Sequence, residues 1–252
     1  MKHLFSMRLP LVYKVAFGLL TVSLGWFWFQ NRSFLRENSV QKRVENIHQV
    51  AWVFANKGKL EKAHDLFEES ASLCRETLGR SSPLTLTSLN NLAWTKRHLG
   101  NFAEAMELFQ EVKGLRESVL GLDHADSMTT RINLASLHLY LGDMEQAEAI
   151  YLENLQLRED LFEDEHPDLL ASMVHLGAFY QRAGQFEKAE LLLAEAAEKH
   201  LKVLGEQDKA TLYALDELGV LYMKQEAHAK AQLVFRQILS ILENESGPAH
   251  LD

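Results

Sequence analysis

The chain has 252 residues, 47% of them hydrophobic and 24% charged, with four prolines, one cysteine and a formal net charge of −9. One cysteine excludes an intrachain disulfide framework and a cysteine-rich metal site, and so few prolines leave room for long helices. The first 36 residues hold Lys2, Arg8, Lys14, Arg32 and Arg36 and no acid, which leaves 21 basic residues against 35 acids, near −14, in the rest; that balance excludes a nucleic-acid-binding body, which would need a basic stripe for phosphates.

Residues 1–8 read as a basic tail. Leu9 to Phe29 (LPLVYKVAFGLLTVSLGWFWF) is long and apolar enough to be expected as a transmembrane signal-anchor helix, since about 20 helical residues span a bilayer's hydrocarbon core. Lys14 is its single charge and can snorkel, Pro10 suits the first turn, and Trp26 to Phe29 read as an interfacial aromatic belt. A cleaved secretory signal would need small residues before the cleavage site, and the aromatics ahead of Gln30 supply none. The expectation is a single-pass membrane protein. Lys2, Arg8 and Lys14 before the span nearly balance Arg32, Arg36, Lys42 and Arg43 after it; the short acid-free tail slightly favours the repeats on the extracytoplasmic side, with a mitochondrial inner membrane as the alternative, and residues 30–40 form a juxtamembrane linker.

Beyond the linker the sequence repeats every 42 residues. Gly58, Gly100, Gly142 and Gly184 keep this interval, as do Ala63, Ala105, Ala147, Ala189 and Ala231. Leu92, Leu134, Leu176 and Leu218 share a register, and so do the small residues Ala51, Ala93, Ala135, Gly177 and Gly219. Each copy carries two apolar stripes at helical spacing: in the second, Leu86, Leu89, Leu92, Ala93 and Leu99, then Phe102, Ala105, Met106, Phe109, Val112 and Leu115. Gly100 stands where a helix C-terminus needs a left-handed residue, and Asn101 and Asp143 are expected as N-caps of the helices that follow. Units are expected at about 41–82, 83–124, 125–166, 167–208 and 209–252. One such hairpin cannot bury its own faces, so neighbours must stack. The fifth unit replaces the glycine by Glu226, and its last helix is expected to dock on a partner or on a second copy of the chain.

The stretch LNNLAWTKRHLGNFAEAMELFQE resembles the tetratricopeptide repeat, through the small residue after leucine, the inter-helix glycine, the small residue in the second helix and the aromatic four positions on. The 42-residue period and the turns at Leu78–Gly79, Leu120–Gly121 with His124, His166–Pro167 and Leu204–Gly205 are similar to the kinesin-light-chain type of this repeat. The resemblance covers about Gln41 to Glu243. It implies an all-α, right-handed α-solenoid of five helix-turn-helix units, preceded here by the transmembrane helix, and a recognition surface rather than a catalyst.

Eleven histidines invite a metal or catalytic reading, but no HExxH, CxxC, phosphate-loop or GxSxG pattern is present. His138 stands where other units have Phe54, Tyr180 and Tyr222 and is expected in the core. Cys74 falls in an apolar rhythm and reads as a buried small hydrophobe. No cofactor, metal or catalytic residue is expected.

The resemblance implies a groove lined by the first helix of each unit. The candidate partner-binding residues are Trp52 in the first unit, Asn90, Asn91, Trp94, Arg97 and His98 in the second, Asn133, Ser136 and Tyr140 in the third, and His175 and Arg182 in the fourth. Asn91 and Asn133 match the family position whose amide holds a bound peptide's backbone. Trp52 and Trp94 either anchor a ligand or pack between stacked units. The family's chaperone-tail clamp is absent, because Asn90, Trp94, Ile132 and Ser136 occupy its positions. The expected function is a membrane-held scaffold that binds a protein or peptide and no nucleic acid. The rivals are an assembly or quality-control factor for a membrane complex and, from another class, an enzyme or enzyme regulator.

Overall fold

The structure is a computed structural model that describes residues 37–246, all of them in helices or the turns between helices. Helix α1 is described over 37–56, so residues 37–40 of the expected linker are already helical. Then follow α2 (Leu60–Leu78), α3 (Pro83–His98), α4 (Phe102–Leu120), α5 (Ala125–Tyr140), α6 (Met144–Leu161), α7 (Pro167–Arg182), α8 (Phe186–Val203), α9 (Lys209–Lys224) and α10 (His228–Ser246). The described residues form an all-α helical-repeat fold of five helix pairs. They divide into two compact units on either side of the Thr95–Lys96 bond, within α3.

The transmembrane helix and the single-pass membrane localisation are corrected here. No helix of the structure is long and apolar enough to cross a membrane, and the run read as a signal-anchor, 9–29, lies outside the described residues. Most of the described helices hide one face on their neighbours and offer the other to water; α7 instead is buried almost all round.

The turn inside each pair has one design. Gly100 donates its N–H to the Arg97 carbonyl at 3.2 Å while Asn101 donates to Lys96 at 2.9 Å, and the same two bonds recur at Gly142 and Asp143 and at Gly184 and Gln185. These are the two reverse bonds of a Schellman C-cap, and they require a left-handed residue at the first position. The glycines there have φ of 71° to 85°; the fifth pair makes the same bonds with Glu226 at φ 58°. Asp143 Oδ1 caps α6 by accepting from the Gln146 N–H at 3.4 Å, whereas Asn101 makes no side-chain cap. The turns between pairs are capped by acceptors two residues ahead. His124 Nδ1 accepts from Asp126 N–H at 3.1 Å, His166 Nδ1 from Asp168 N–H at 3.2 Å, and Asp208 Oδ1 from Ala210 N–H at 2.8 Å.

In the first compact unit, Val40 and Val44 of α1 bury themselves against Cys74 of α2, a thiol whose pKa burial pushes up. His48 Nε2 lies 3.1 Å from both Ser70 Oγ and Ser88 Oγ, and its ring meets Phe67 edge-on. In the second, consecutive helices pack from α4 through α10. Its core runs through Ala147, Tyr151, Leu170, Leu176, Phe179, Leu193, Ala196, Leu215 and Leu221. Each large side chain fully buried there contributes about 1.5–3 kcal/mol.

Buried arginines tie the second helices α4 and α6 to the first helix of the next pair. Arg116, 2% exposed, donates from Nη1 to the Asp126 carbonyl and to Thr130 Oγ1, both at 2.8 Å. Arg158, 4% exposed, repeats this 42 residues on, with the Asp168 carbonyl at 2.5 Å and Ser172 Oγ at 2.7 Å, and its Nε points at Met128 Sδ. Cys74 and His200 hold the same register position in α2 and α8. His138 is half-buried rather than in the core, with Nδ1 3.0 Å from Asp143 Oδ2.

Candidate recognition cleft

Helical spacing sets three rows along the first helices of the second compact unit. Asn133, His175 and Glu217 form one, Ser136, Ala178 and Val220 the next, and His98, Tyr140, Arg182 and Lys224 the third, every step being 42 residues. Three and four residues separate the rows, so on each helix they share a face. The packing positions repeat with little change, whereas these rows change residue type at every copy.

Where the rows meet the ends of the helices there is a cleft of ≈ 580 Å³ lined by Arg97, His98, Ser136, Leu139, Tyr140, Met144 and Arg182. Arg97 and His98 come from the last turn of α3, Ser136 to Tyr140 from the end of α5, Met144 from the start of α6 and Arg182 from the end of α7. On its inner side, Ser136 Oγ and Tyr151 Oη are 2.8 Å apart and share a hydrogen bond. A large aromatic at this row would fill the space, as Trp94 does in its own unit; serine leaves it open. The rim is apolar, with Tyr140 71% exposed, Met144 43% exposed and the Phe102 ring 5.1 Å from that of Tyr140.

The cleft is electropositive in an acidic chain. Arg97 Nη2 lies 2.9 Å from His98 Nε2; an arginine N–H can only donate, so the imidazole nitrogen accepts. Burial, together with the nearby like charge of Arg182, lowers the Arg97 pKa, with Tyr151 and Tyr140 opposing. Burial and then Arg97 likewise lower His98. Burial pushes the Tyr151 phenol up, against the pull of its Ser136 hydrogen bond and both guanidinia. Among the described residues no carboxylate forms an ion pair with Arg97 or Arg182, although Lys96 beside them pairs with Glu104 at 2.6 Å. Two guanidinium charges therefore face one space without a counter-ion.

Of the eleven residues read from the sequence, five stand together in this cleft: Arg97, His98, Ser136, Tyr140 and Arg182. His175 lies along the same helix face, half-buried, its ring centroid 6.3 Å from that of Tyr213. Burial, assisted by Arg158, brings its pKa down to about 4. Asn133 is half-buried on α5. The other four belong to the first compact unit. Trp52 and Trp94 meet each other at 4.9 Å, with Trp52 edge-on to Phe67 at 5.4 Å. Asn90 and Asn91 are buried, 7% and 9% exposed. Sequence reasoning passed over Met144, Leu139 and Tyr151. Met144 opens a second helix rather than a first, and Tyr151 stands in the register of the packing aromatic Phe109. Their signal was the neighbouring serine: Ser136 stands at a register position that holds tryptophan in the first two units, and a small residue there exposes whatever lies behind it. Among the described residues, no three or more His, Cys, Asp or Glu side chains come together as a metal site.

Three stretches, 44–118, 126–199 and 168–244, match the tetratricopeptide repeat family. The chain belongs to that family. Its 42-residue repeats are of the kinesin-light-chain type, similar to those in a solved structure of the Podosopora anserina putative kinesin light chain nearly identical TPR-like repeats. That structure is 25% identical, with a TM-score of 0.59 over 79% of this chain and 95% of that one. The fold is also like that of BtubC (BKLC) from P. vanneervenii, at 20% identity and TM-score 0.62, covering 83% of this chain and 90% of that one. A Rap protein complexed with Competence and Sporulation Factor shares it at 14% identity and TM-score 0.65, over 77% of this chain and 52% of that one. No curated protein matches the chain. The family's common role is protein–protein recognition, generally without catalysis.

Proposed function

We propose that the chain is an interaction scaffold whose second compact unit holds an extended segment of a partner protein along the first-helix face, anchored in the Arg97–Arg182 cleft. The observation that carries this reading is the cleft itself: open space lined by the residues that vary between repeats, with an apolar lip and two guanidinia lacking a counter-ion. Asn133 stands on the same face, and its amide is a group that both donates and accepts. Tyr140 and Met144 supply apolar contact of the kind that dominates binding energy. The solved Rap complex gives the fold a precedent as a binder and says nothing of the ligand here.

Site-specific photocrosslinking tests it. A photoreactive residue in place of Tyr140 should join a defined partner segment, whereas one in place of Leu191, an equally exposed residue on the second helix α8 (69% exposed), should not. Equal yields of the same adduct at both positions would refute a binding face on the first helices.

A further inference from the structure

We propose that the cleft takes a doubly charged phosphate ester on a side chain of the bound segment; this rests on the reading that the cleft holds a peptide. The argument begins with charge. Arginine does not lose its proton at any pH a folded protein tolerates, so Arg97 and Arg182 place two fixed positive charges at one space, and no carboxylate of the described residues answers either. A side-chain carboxylate would neutralise one of them. A phosphate monoester carries about −1.5 to −2 near neutral pH and offers three strong acceptor oxygens, which matches two guanidinia in number and in charge.

Donor geometry agrees. Arg97 directs Nη2 to His98, which fixes the guanidinium plane at the cleft wall and leaves its other N–H groups to point elsewhere. Arg182 closes the far side from the last turn of α7 and is exposed. Planar guanidinia arranged so bind phosphate oxygens through paired, charge-assisted hydrogen bonds. The surroundings discriminate further. In a chain of net charge −9, general attraction of anions is unfavourable, so binding depends on these two local charges. The cleft also provides a place for the stem of the ester: Tyr140 and Met144 border it with exposed apolar surface, above buried Leu139. At ≈ 580 Å³ the space exceeds what a bare oxyanion needs and suits an anion carried on an aromatic stem.

The test titrates the full chain with three blocked amino acids, N-acetyl-O-phosphotyrosine amide, N-acetyltyrosine amide and N-acetylglutamate amide, by calorimetry and by NMR. The phosphate ester should bind with shifts at Tyr140 and Met144, and the glutamate amide about tenfold or more weaker, since a charge-assisted hydrogen bond to a second guanidinium is worth about that factor. Arg182→Gln should cut ester affinity by about tenfold or more without lowering the melting temperature, because Arg182 is exposed and among the described residues makes no ion pair. Arg182→Lys should fall between. Glutamate amide binding as tightly as the ester, ester affinity unmoved by Arg182→Gln, or no ester binding at all would each overturn the phosphate assignment. None of these would affect a crosslink from Tyr140 to a partner segment, so the two readings fail separately.

Discussion

The same substitution, glycine to alanine, should have opposite signs at two places in this chain. Gly177 lies mid-helix in α7, and a Cβ built there comes 2.7 Å from Leu193 Cγ and 2.9 Å from its Cδ2. Leu193 is fully buried in α8 and cannot retreat. Overpacking of this kind costs about 1–3 kcal/mol, and the helix propensity of alanine returns about 1 kcal/mol. Gly177→Ala should therefore destabilise by up to about 2 kcal/mol. Gly114 lies mid-helix in α4, is exposed, and has nothing within 4 Å of an added Cβ. Gly114→Ala should stabilise by about 1 kcal/mol through propensity alone. For a chain of this size each kcal/mol moves Tm by about 2–4 °C, so the two variants should separate by several degrees in calorimetry and in urea unfolding. A Gly177→Ala protein as stable as its parent would show that α7 and α8 slide apart freely and that the close approach is not a packing constraint.

Other predictions follow the same logic. Glu226 occupies the left-handed turn position that glycine holds in the other four pairs, and left-handed backbone costs an L-residue about 1–2 kcal/mol; Glu226→Gly should raise Tm in thermal melts, and a lower Tm would refute the strain. Arg158→Ala should cost about 3 kcal/mol in urea unfolding, since it strands Ser172 and the Asp168 carbonyl in a buried site, whereas Arg158→Met should cost much less because it removes the charge and keeps the volume; equal losses would mean that packing alone sets the penalty. Burial brings the His175 pKa down to about 4 and also lowers His48 and His200. The unfolded chain takes up these protons near pH 6.5 and the folded one does not, so their contribution is complete above that pH and is lost as pH falls from 6.5 towards 4. For His175 the loss approaches about 3 kcal/mol, visible as a falling urea midpoint between pH 7 and 4.5 that is shallower in His175→Leu; a flat profile would contradict it.

The repeat was legible because packing is local and periodic. A small residue such as Ala135 or Ala147 is needed wherever two helices touch, and the left-handed turn needs Gly142, so these positions recur and declare the helix pairs. The arginine row was equally periodic but went unread. Cys74, Arg116, Arg158 and His200 share a register yet not a chemistry, and only the contacts of the first three with Ser88, Thr130 and Ser172 reveal that they face the next pair. Asn101 has the right chemistry for a cap and does not use it, whereas His124 and His166 cap through a ring nitrogen that composition does not announce. The apolar run 9–29 shows the limit of hydropathy: it states what a helix there would dissolve in, while no described helix is long and apolar enough to span a bilayer.

The cleft was half legible for a related reason. A residue facing its neighbour helix is constrained by volume, so changing it carries an immediate stability cost. A residue on the uncovered face is constrained only by what it meets in function. His98, Tyr140, Arg182 and Lys224 hold one register position and are four different side chains, which no packing rule requires. The alternative is that the row is solvated and drifts without consequence. Drift in an acidic chain would be expected to leave acids near the arginines, as it leaves Glu104 beside Lys96 and Glu190 beside Lys230. Arg97 instead accepts partial burial next to Arg182, a like charge, with no carboxylate answering either. That arrangement costs stability in the unliganded chain, and an anion in the cleft would recover it. Binding a phosphate ester should therefore raise Tm in the parent and not in Arg182→Gln. Stabilisation of equal size in both would assign the rise to anions in general rather than to this pair of arginines.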